Sequence, residues 1–160
     1  MGMRIRTAAL EDADVVGKVH SAAWKSAYRG IFPDEYIDED TAAKRTEEFL
    51  DSIKDEKCAY YLLTESEKTA GIVKTREDNN FLEIESIYIL DEFRGKGFGS
   101  RFIDYIRGAA LQDRISLWVL ETNLPARRFY ENNGFVMTGD FRLINRGVEL
   151  KQVRYEYLGG

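Results

Sequence analysis

After Leu90 the chain runs Asp91-Glu92-Phe93-Arg94-Gly95-Lys96-Gly97-Phe98-Gly99-Ser100. Glycines at 95, 97 and 99 follow a run with strand character and precede a helix-patterned segment. A helix reached through such a turn leaves the N–H groups of its first turn unpaired, and its dipole favours nearby negative charge by about 0.3–1 kcal/mol. The ligand this arrangement suits is an anion, phosphate above all. Spacing separates the known phosphate motifs. A G-x-G-x-x-G dinucleotide fingerprint counted from Gly95 would need glycine at 100, where Ser100 stands, and a P-loop would need Lys and Ser or Thr after Gly99, where Ser100 and Arg101 stand. What remains is R-x-x-G-x-G at Arg94, Gly97 and Gly99.

The elements around this turn follow from periodicity. Met3 to Thr7 alternates as a short strand, and from Leu10 the spacing of Val15, Val16, Val19, Ala22 and Ala23 predicts an amphipathic helix. The stretch from Tyr28 to Pro33 interrupts it. Acidic residues Asp34 to Asp40 lead into a second helix over Thr41 to Ile53, the two helices being joined by a bent loop. Strands are expected at 58–63, 70–75 and 81–90, and at 115–120 after the glycine-led helix. Residues 123–133 have helical spacing, stopped at Gly134, and two last strands flank Asn145-Arg146-Gly147. The order β-α-α-β-β-β-α-β-α-β-β predicts an α/β (α+β) fold: a mixed, mostly antiparallel central sheet with helices on both faces. A right-handed crossover would make the strands around residues 85 and 118 parallel.

Composition narrows the function. The chain has 160 residues, 44% of them hydrophobic and 32% charged, which suits one domain over 1–160. With 23 Lys+Arg against 28 Asp+Glu and a formal charge of -5, it gives no support to nucleic-acid binding. Cys58 is the only cysteine and His20 the only histidine, so neither a disulfide framework nor a Cys/His zinc site is expected. No apolar run approaches the roughly 20 residues of a membrane span, and the N-terminus has no signal-peptide core. The expectation is a cytoplasmic protein with no metal and no membrane partner.

Strand 81–90, the Arg94 to Gly99 turn and Asn123-Leu124-Pro125-Ala126-Arg127-Arg128-Phe129-Tyr130-Glu131-Asn132-Asn133-Gly134-Phe135 together resemble the acetyl-coenzyme A-binding core of the GNAT N-acetyltransferase superfamily. Its pattern, [RQ]-x-x-G-x-[GA] followed later by N-x-x-A-x-x-[FL]-Y-x-x-x-G-F, is met at every defined position. The resemblance is close over residues 81–137 and covers the element order of the whole chain more loosely. It implies acetyl-CoA as cosubstrate, with coenzyme contacts from Ile87, Tyr88, Ile89, Arg94, Gly95, Lys96, Gly97, Phe98, Gly99, Ser100, Asn123, Ala126, Arg128 and Tyr130. Gly97 and Gly99 would let the backbone reach the pyrophosphate, and Ile87 to Ile89 would pair with the pantetheine amides as with a neighbouring strand. Asn123 reads equally as a helix N-cap.

The same resemblance implies the chemistry. An amine acceptor with a pKa near 10.4 must lose a proton before it attacks a thioester, which at pH 7 costs about 4.6 kcal/mol. Glu83 matches the general base of the histone-acetylating members, and Glu85 is the alternative. Two residues apart on a strand, they share a face, with Ile87 and Ile89 in the same phase unless a bulge intervenes. Tyr130 matches the residue that serves the leaving thiolate. His20 reads as a helix-face residue and Cys58 as a poor nucleophile. The expected function is direct acetyl transfer to an amine acceptor: a polyamine, another small amine or a protein amine. The rival is a non-catalytic coenzyme A sensor of the same fold. A homodimer is common in the family.

Overall fold

The computed structural model describes residues 2–79, 81–109 and 114–157. In chain order it contains β1 (Met3–Thr7), α1 (Ala13–Tyr28), α2 (Asp34–Asp38), α3 (Ala42–Ser52), β2 (Cys58–Glu65), β3 (Lys68–Glu77), β4 (Leu82–Ile89), α4 (Phe98–Ala109), β5 (Ile115–Leu120), α5 (Leu124–Asn132), β6 (Val136–Asn145) and β7 (Glu149–Tyr157). The expected order holds, with one addition. Helix α2 forms inside the acidic stretch, where Arg29 Nη1 contacts Asp34 Oδ1 at 3.4 Å and Asp38 Oδ1 at 3.1 Å, one helical turn apart. The turn expected at Asn79-Asn80, the helix-patterned stretch expected to reach Ala110 and the strand expected over Val148 to Leu158 each include a residue, Asn80, Ala110 and Leu158, that lies outside the described residues.

Among the described residues, seven strands form one sheet in the order β1-β2-β3-β4-β5-β7-β6. The β4–β5 pair is parallel, as the crossover through α4 requires, and the other neighbours are antiparallel. One face packs on α4 and α5. There Phe98, Phe102, Ile103 and Ile106, at helical spacing, bury against Ile84, Leu117, Val119 and Tyr130. The other face packs on α1 and α3, where Val16, Val19 and Phe49 meet Tyr60, Leu62 and Ile72. Each fully buried large apolar side chain contributes about 1.5–3 kcal/mol, so the two cores clamp the sheet from both sides.

One irregularity decides how β4 presents its side chains. Lys74 pairs with Ser86 and Thr75 with Ile84, so Glu85 is an extra residue with no opposite number on β3. Such a bulge bends its strand and reverses the alternation beyond it. Leu82 and Ile84 before the bulge, and Ile87 and Ile89 after it, all contribute to the core under α4. The phase expected from spacing is therefore corrected: Ile87 and Ile89 do not share a face with Glu83, whereas Tyr88 now points to the α1 side.

Candidate active site

Strands β4 and β5 pair at Leu82↔Ile115, Glu83↔Ser116 and Ile84↔Leu117 and then part. The bulge at Glu85 begins the divergence. Beyond it lies a cavity of about 690 Å³, with Glu85 to Ile89 on one wall and Trp118 and Val119 on the other. The backbone of the β4 wall is usable. Leu90 N–H donates to Ala70 O on β3, so by strand alternation Ile87 and Ile89 direct their N–H and C=O groups into the open side.

At one end of the cavity the glycine turn supplies donors. Gly95 and Gly97 have φ of +75° and +88°, a region costly for other residues. They turn the chain so that the first α4 bond runs from Arg101 N to Gly97 O. Among the described residues, the N–H groups of residues 95–100 have no backbone acceptor. Gly99 is needed for a different reason than the one its spacing suggests: a Cβ there would stand 2.7 Å from Phe129 Cζ, so it lets α5 close against α4. Arg94 lines the cavity with Gly95, Gly97, Phe98, Gly99 and Ser100. Lys96 does not; its Nζ lies over the Phe93 ring, 5.4 Å from the centroid. Arg128 is exposed and also lies off the lining.

Helix α5 brings the second group of residues. Asn123 Oδ1 accepts from Ala126 N at 3.3 Å, so it caps the helix while both residues line the cavity. Tyr130 is buried on the inward face and lines the cavity too. Burial pushes its phenol pKa well above the usual value, with a smaller push from Tyr28, so it stays protonated as a donor. Arg127 turns away: Nε donates to Tyr155 Oη at 2.9 Å and Nη1 to Glu121 O at 2.8 Å, fastening α5 to β7.

The two carboxylates separate. Glu85 lines the cavity, with Lys74 Nζ at 3.9 Å. Glu83 lies behind the lining, in the paired part of β4, and its carboxyl pKa is raised, first by burial and then by the charge of Glu85. On the α1 side the cavity is closed by Ala27 and Tyr28, and the Tyr28 and Tyr88 hydroxyls are 3.4 Å apart. His20 packs on Tyr88 with ring centroids 5.5 Å apart. Burial holds it neutral, with a pKa lowered to about 3. The acidic stretch is largely used within the fold, since Asp40 accepts from Ser21 Oγ at 2.6 Å and pairs with Arg45 Nε at 2.7 Å.

An open parallel seam, a donor-lined helix start and a protonated phenol share one cleft. Residues 19–135 match the Acetyltransferase (GNAT) family. The chain belongs to this family. Over 159 residues it is 26% identical to an uncharacterized N-acetyltransferase, YuaI, of Bacillus subtilis, covering 93% of this chain and 89% of that protein. Its fold matches that of the PaiA N-acetyltransferase of Thermoplasma acidophilum in complex with coenzyme A, with a TM-score of 0.75, 21% identity and 99% of both chains covered. A chimera of the spermidine N-acetyltransferase SpeG from Vibrio cholerae aligns with a TM-score of 0.75 and 23% identity, over 99% of this chain and 96% of that one.

As a GNAT N-acetyltransferase, the protein takes acetyl-CoA as cosubstrate, and its residues suit that molecule. The free N–H groups of the turn fit a pyrophosphate, and the open Ile87 backbone and Ile89 N–H fit an amide-bearing arm, the Ile89 carbonyl already accepting from Arg94 Nε at 3.4 Å. Among the described residues no cluster of metal-ligating side chains forms, and no helix is long and apolar enough to cross a membrane. Sequence reasoning did not find Ala27, Ser86, Phe93, Trp118, Pro125 or Gln152 as lining residues. Trp118 and Gln152 carry no local signal, because only the β5–β7 register brings them to the cleft.

Proposed function

We propose that this GNAT protein transfers the acetyl group of acetyl-CoA directly to a primary amine entering from the α1 side of the cleft. Acetyl-CoA supplies the activated acetyl group as a thioester. Residues 95–100 bind the pyrophosphate through backbone N–H groups, and Ile87 and Ile89 orient the pantetheine arm, with an N–H of that segment facing the thioester carbonyl. Arg94 adds charge at the phosphate end, with Lys96 and Arg128 contributing at longer range. Glu85, on the cavity wall, meets the acceptor ammonium. Glu83, whose raised pKa matches it better to neutral pH, receives the proton through water. Tyr130 donates its phenolic proton to the departing thiolate and is reprotonated by the second proton that the amine nitrogen sheds as the amide forms. Cys58 takes no part: it lies off the cavity lining, and burial raises its thiol pKa, which disfavours the nucleophilic thiolate.

The observation that carries this reading is the presence of Glu85 and Tyr130 in the same cavity as the unpaired turn. A coenzyme sensor would need the turn and the bare β4 edge but neither of those groups. Incubation with acetyl-CoA and a panel of amines, followed by titration of free thiol, tests it. Thiol release matched by acetylated amine is expected; tight coenzyme binding with no thiol release would favour the sensor. The protein is read as acting in the cytoplasm. For a homodimer, the exposed Val136, Met137, Phe141 and Leu143 on β6 offer a surface, and sedimentation at micromolar concentration reports on it.

A further inference from the structure

Trp118 is the first β5 residue beyond the β4–β5 pairing, and its indole forms part of the cleft wall. Arg142, on β6, lies over that ring with its guanidinium carbon 4.4 Å from the centroid. Its Nε donates to Oε1 of Gln152, another lining residue, at 2.7 Å. Anchored by one nitrogen and held over the indole, the group leaves Nη1 and Nη2 without a hydrogen bond or ion pair among the described residues. Neighbouring cations differ in this respect. Arg76 is paired with Asp55 at 3.0 Å, Arg154 with Asp140 at 3.6 Å, and Lys74 faces Glu85 at 3.9 Å.

A planar guanidinium with its outer edge unspent fits a carboxylate in two-point fashion, and stacking on an aromatic face fixes its plane. Arg142 is itself exposed and stands just outside the lining, behind Trp118 and Gln152, which do line the cleft, and the charges of Glu83 and of the lining residue Glu85 both act on it. The cleft thus has a carboxylate on its β4 wall and, at the rim beyond Trp118, a guanidinium from β6. A polyamine would have a partner at Glu85 and repulsion at Arg142. A molecule with one ammonium and one carboxylate would have a partner at each end.

We infer that the acceptor is an amine that also carries a carboxylate, an amino acid or close derivative, and that Arg142 is the specificity-determining residue that holds the carboxylate. This rests on the acetyl-transfer reading of the cleft.

The test compares kcat/KM for L-amino acids with that for their carboxamides, pair by pair, and with spermidine, in the wild type, Arg142→Gln and Arg142→Lys. The carboxylate form is expected to be preferred at least ~10-fold in the best pair, as for a hydrogen-bonded charge pair. Arg142→Gln should abolish that preference by raising KM for the carboxylate form more than for its carboxamide, and Arg142→Lys should restore part of it. Equal rates within every pair, a preference that survives in Arg142→Gln, or spermidine preferred over every amino acid would overturn the inference. If no amine releases thiol, the transfer reading fails, and the carboxylate site is judged by binding. With coenzyme A present, N-acetyl amino acids should then raise the wild-type Tm more than their carboxamides do, and not in Arg142→Gln; equal shifts in the wild type would overturn the site by itself.

Discussion

A Cβ placed on Gly99 would stand 2.7 Å from Cζ of Phe129. Helices α4 and α5 therefore approach as closely as they do only because residue 99 has no side chain. Gly99→Ala should cost about 1–3 kcal/mol of stability through overpacking and, by moving α5, weaken acetyl-CoA binding as well. Urea unfolding and coenzyme titration measure the two effects. Gly97→Ala should behave differently. No atom within 3.4 Å obstructs a Cβ there, and the penalty comes from a φ of +88° in the donor turn. A Gly99→Ala protein as stable as the wild type would remove the packing account.

The pairing of Glu83 with Glu85 predicts a pH effect. Part of the rise in the Glu83 pKa comes from the negative charge of Glu85. Glu85→Gln should lower the Glu83 pKa and move the acid limb of the kcat/KM profile to lower pH. Glu83→Gln should instead remove that limb and lower kcat/KM at pH 7 by about 10²-fold, the usual scale of general-base catalysis. Rate profiles from pH 5 to 9 decide, and identical limbs in all three proteins would place the base elsewhere.

His20 makes stability itself pH-dependent. The unfolded chain protonates this residue near its ordinary value of 6.5, whereas the folded protein keeps it neutral down to about 3. Between those values the unfolded state holds the extra proton, so stability falls as pH falls, by about 1.4 kcal/mol per pH unit. Asp12, held at about 2 chiefly by the Arg6 guanidinium, loses its stabilising ionisation only below its ordinary 3.8, so its window lies lower. Glu83, with its raised pKa, works in the opposite sense. Comparing wild type with His20→Phe isolates the histidine. Urea midpoints at pH 7.5 and 5.5 should converge in the variant; an unchanged pH slope would contradict a buried neutral His20.

The hydroxyls of Tyr28 and Tyr88, 3.4 Å apart, join the end of α1 to β4 on the α1 side of the cleft, where the acceptor is proposed to enter. Tyr28→Phe should raise the acceptor KM by about 3–10-fold, the value of one modest hydrogen bond. The acetyl-CoA Kd should be unchanged, since the pyrophosphate turn and the α5 residues lie on other elements. Isothermal titration with acetyl-CoA and initial rates against acceptor separate the two. A weakened coenzyme Kd with an unaltered acceptor KM would reverse the assignment.

Much of the fold was legible because its signals are local. Three-to-four-residue spacing marked α1 and α5, alternation marked the strands, and the glycines fixed the turn before α4. The two motif halves also marked much of the cavity lining around the glycine turn and α5. What escaped depends on partners distant in the chain. Nothing within Leu82–Ile89 says that Glu85 bulges; that follows from how Lys74 and Thr75 of β3 pair with it. Lys96 and Arg128 bear the right charge within the right motifs, yet ring packing of one and exposure of the other take them off the cavity wall. The juxtaposition of Trp118, Gln152 and Arg142 arises from the β5–β7 and β6–β7 registers, which no single stretch encodes.

Tyr130 is a buried, protonated phenol in the cleft wall, proposed to serve the departing thiolate. Thiol release from acetyl-CoA, measured side by side for wild type and Tyr130→Phe with a reactive amine, and paired with the acetyl-CoA Kd of each, tests this most directly. A wild-type protein that releases thiol only when amine is present is predicted, with kcat lowered about 10²-fold in Tyr130→Phe and Kd changed less than about threefold. Full turnover in Tyr130→Phe, or coenzyme binding by the wild type without any thiol release, would contradict it.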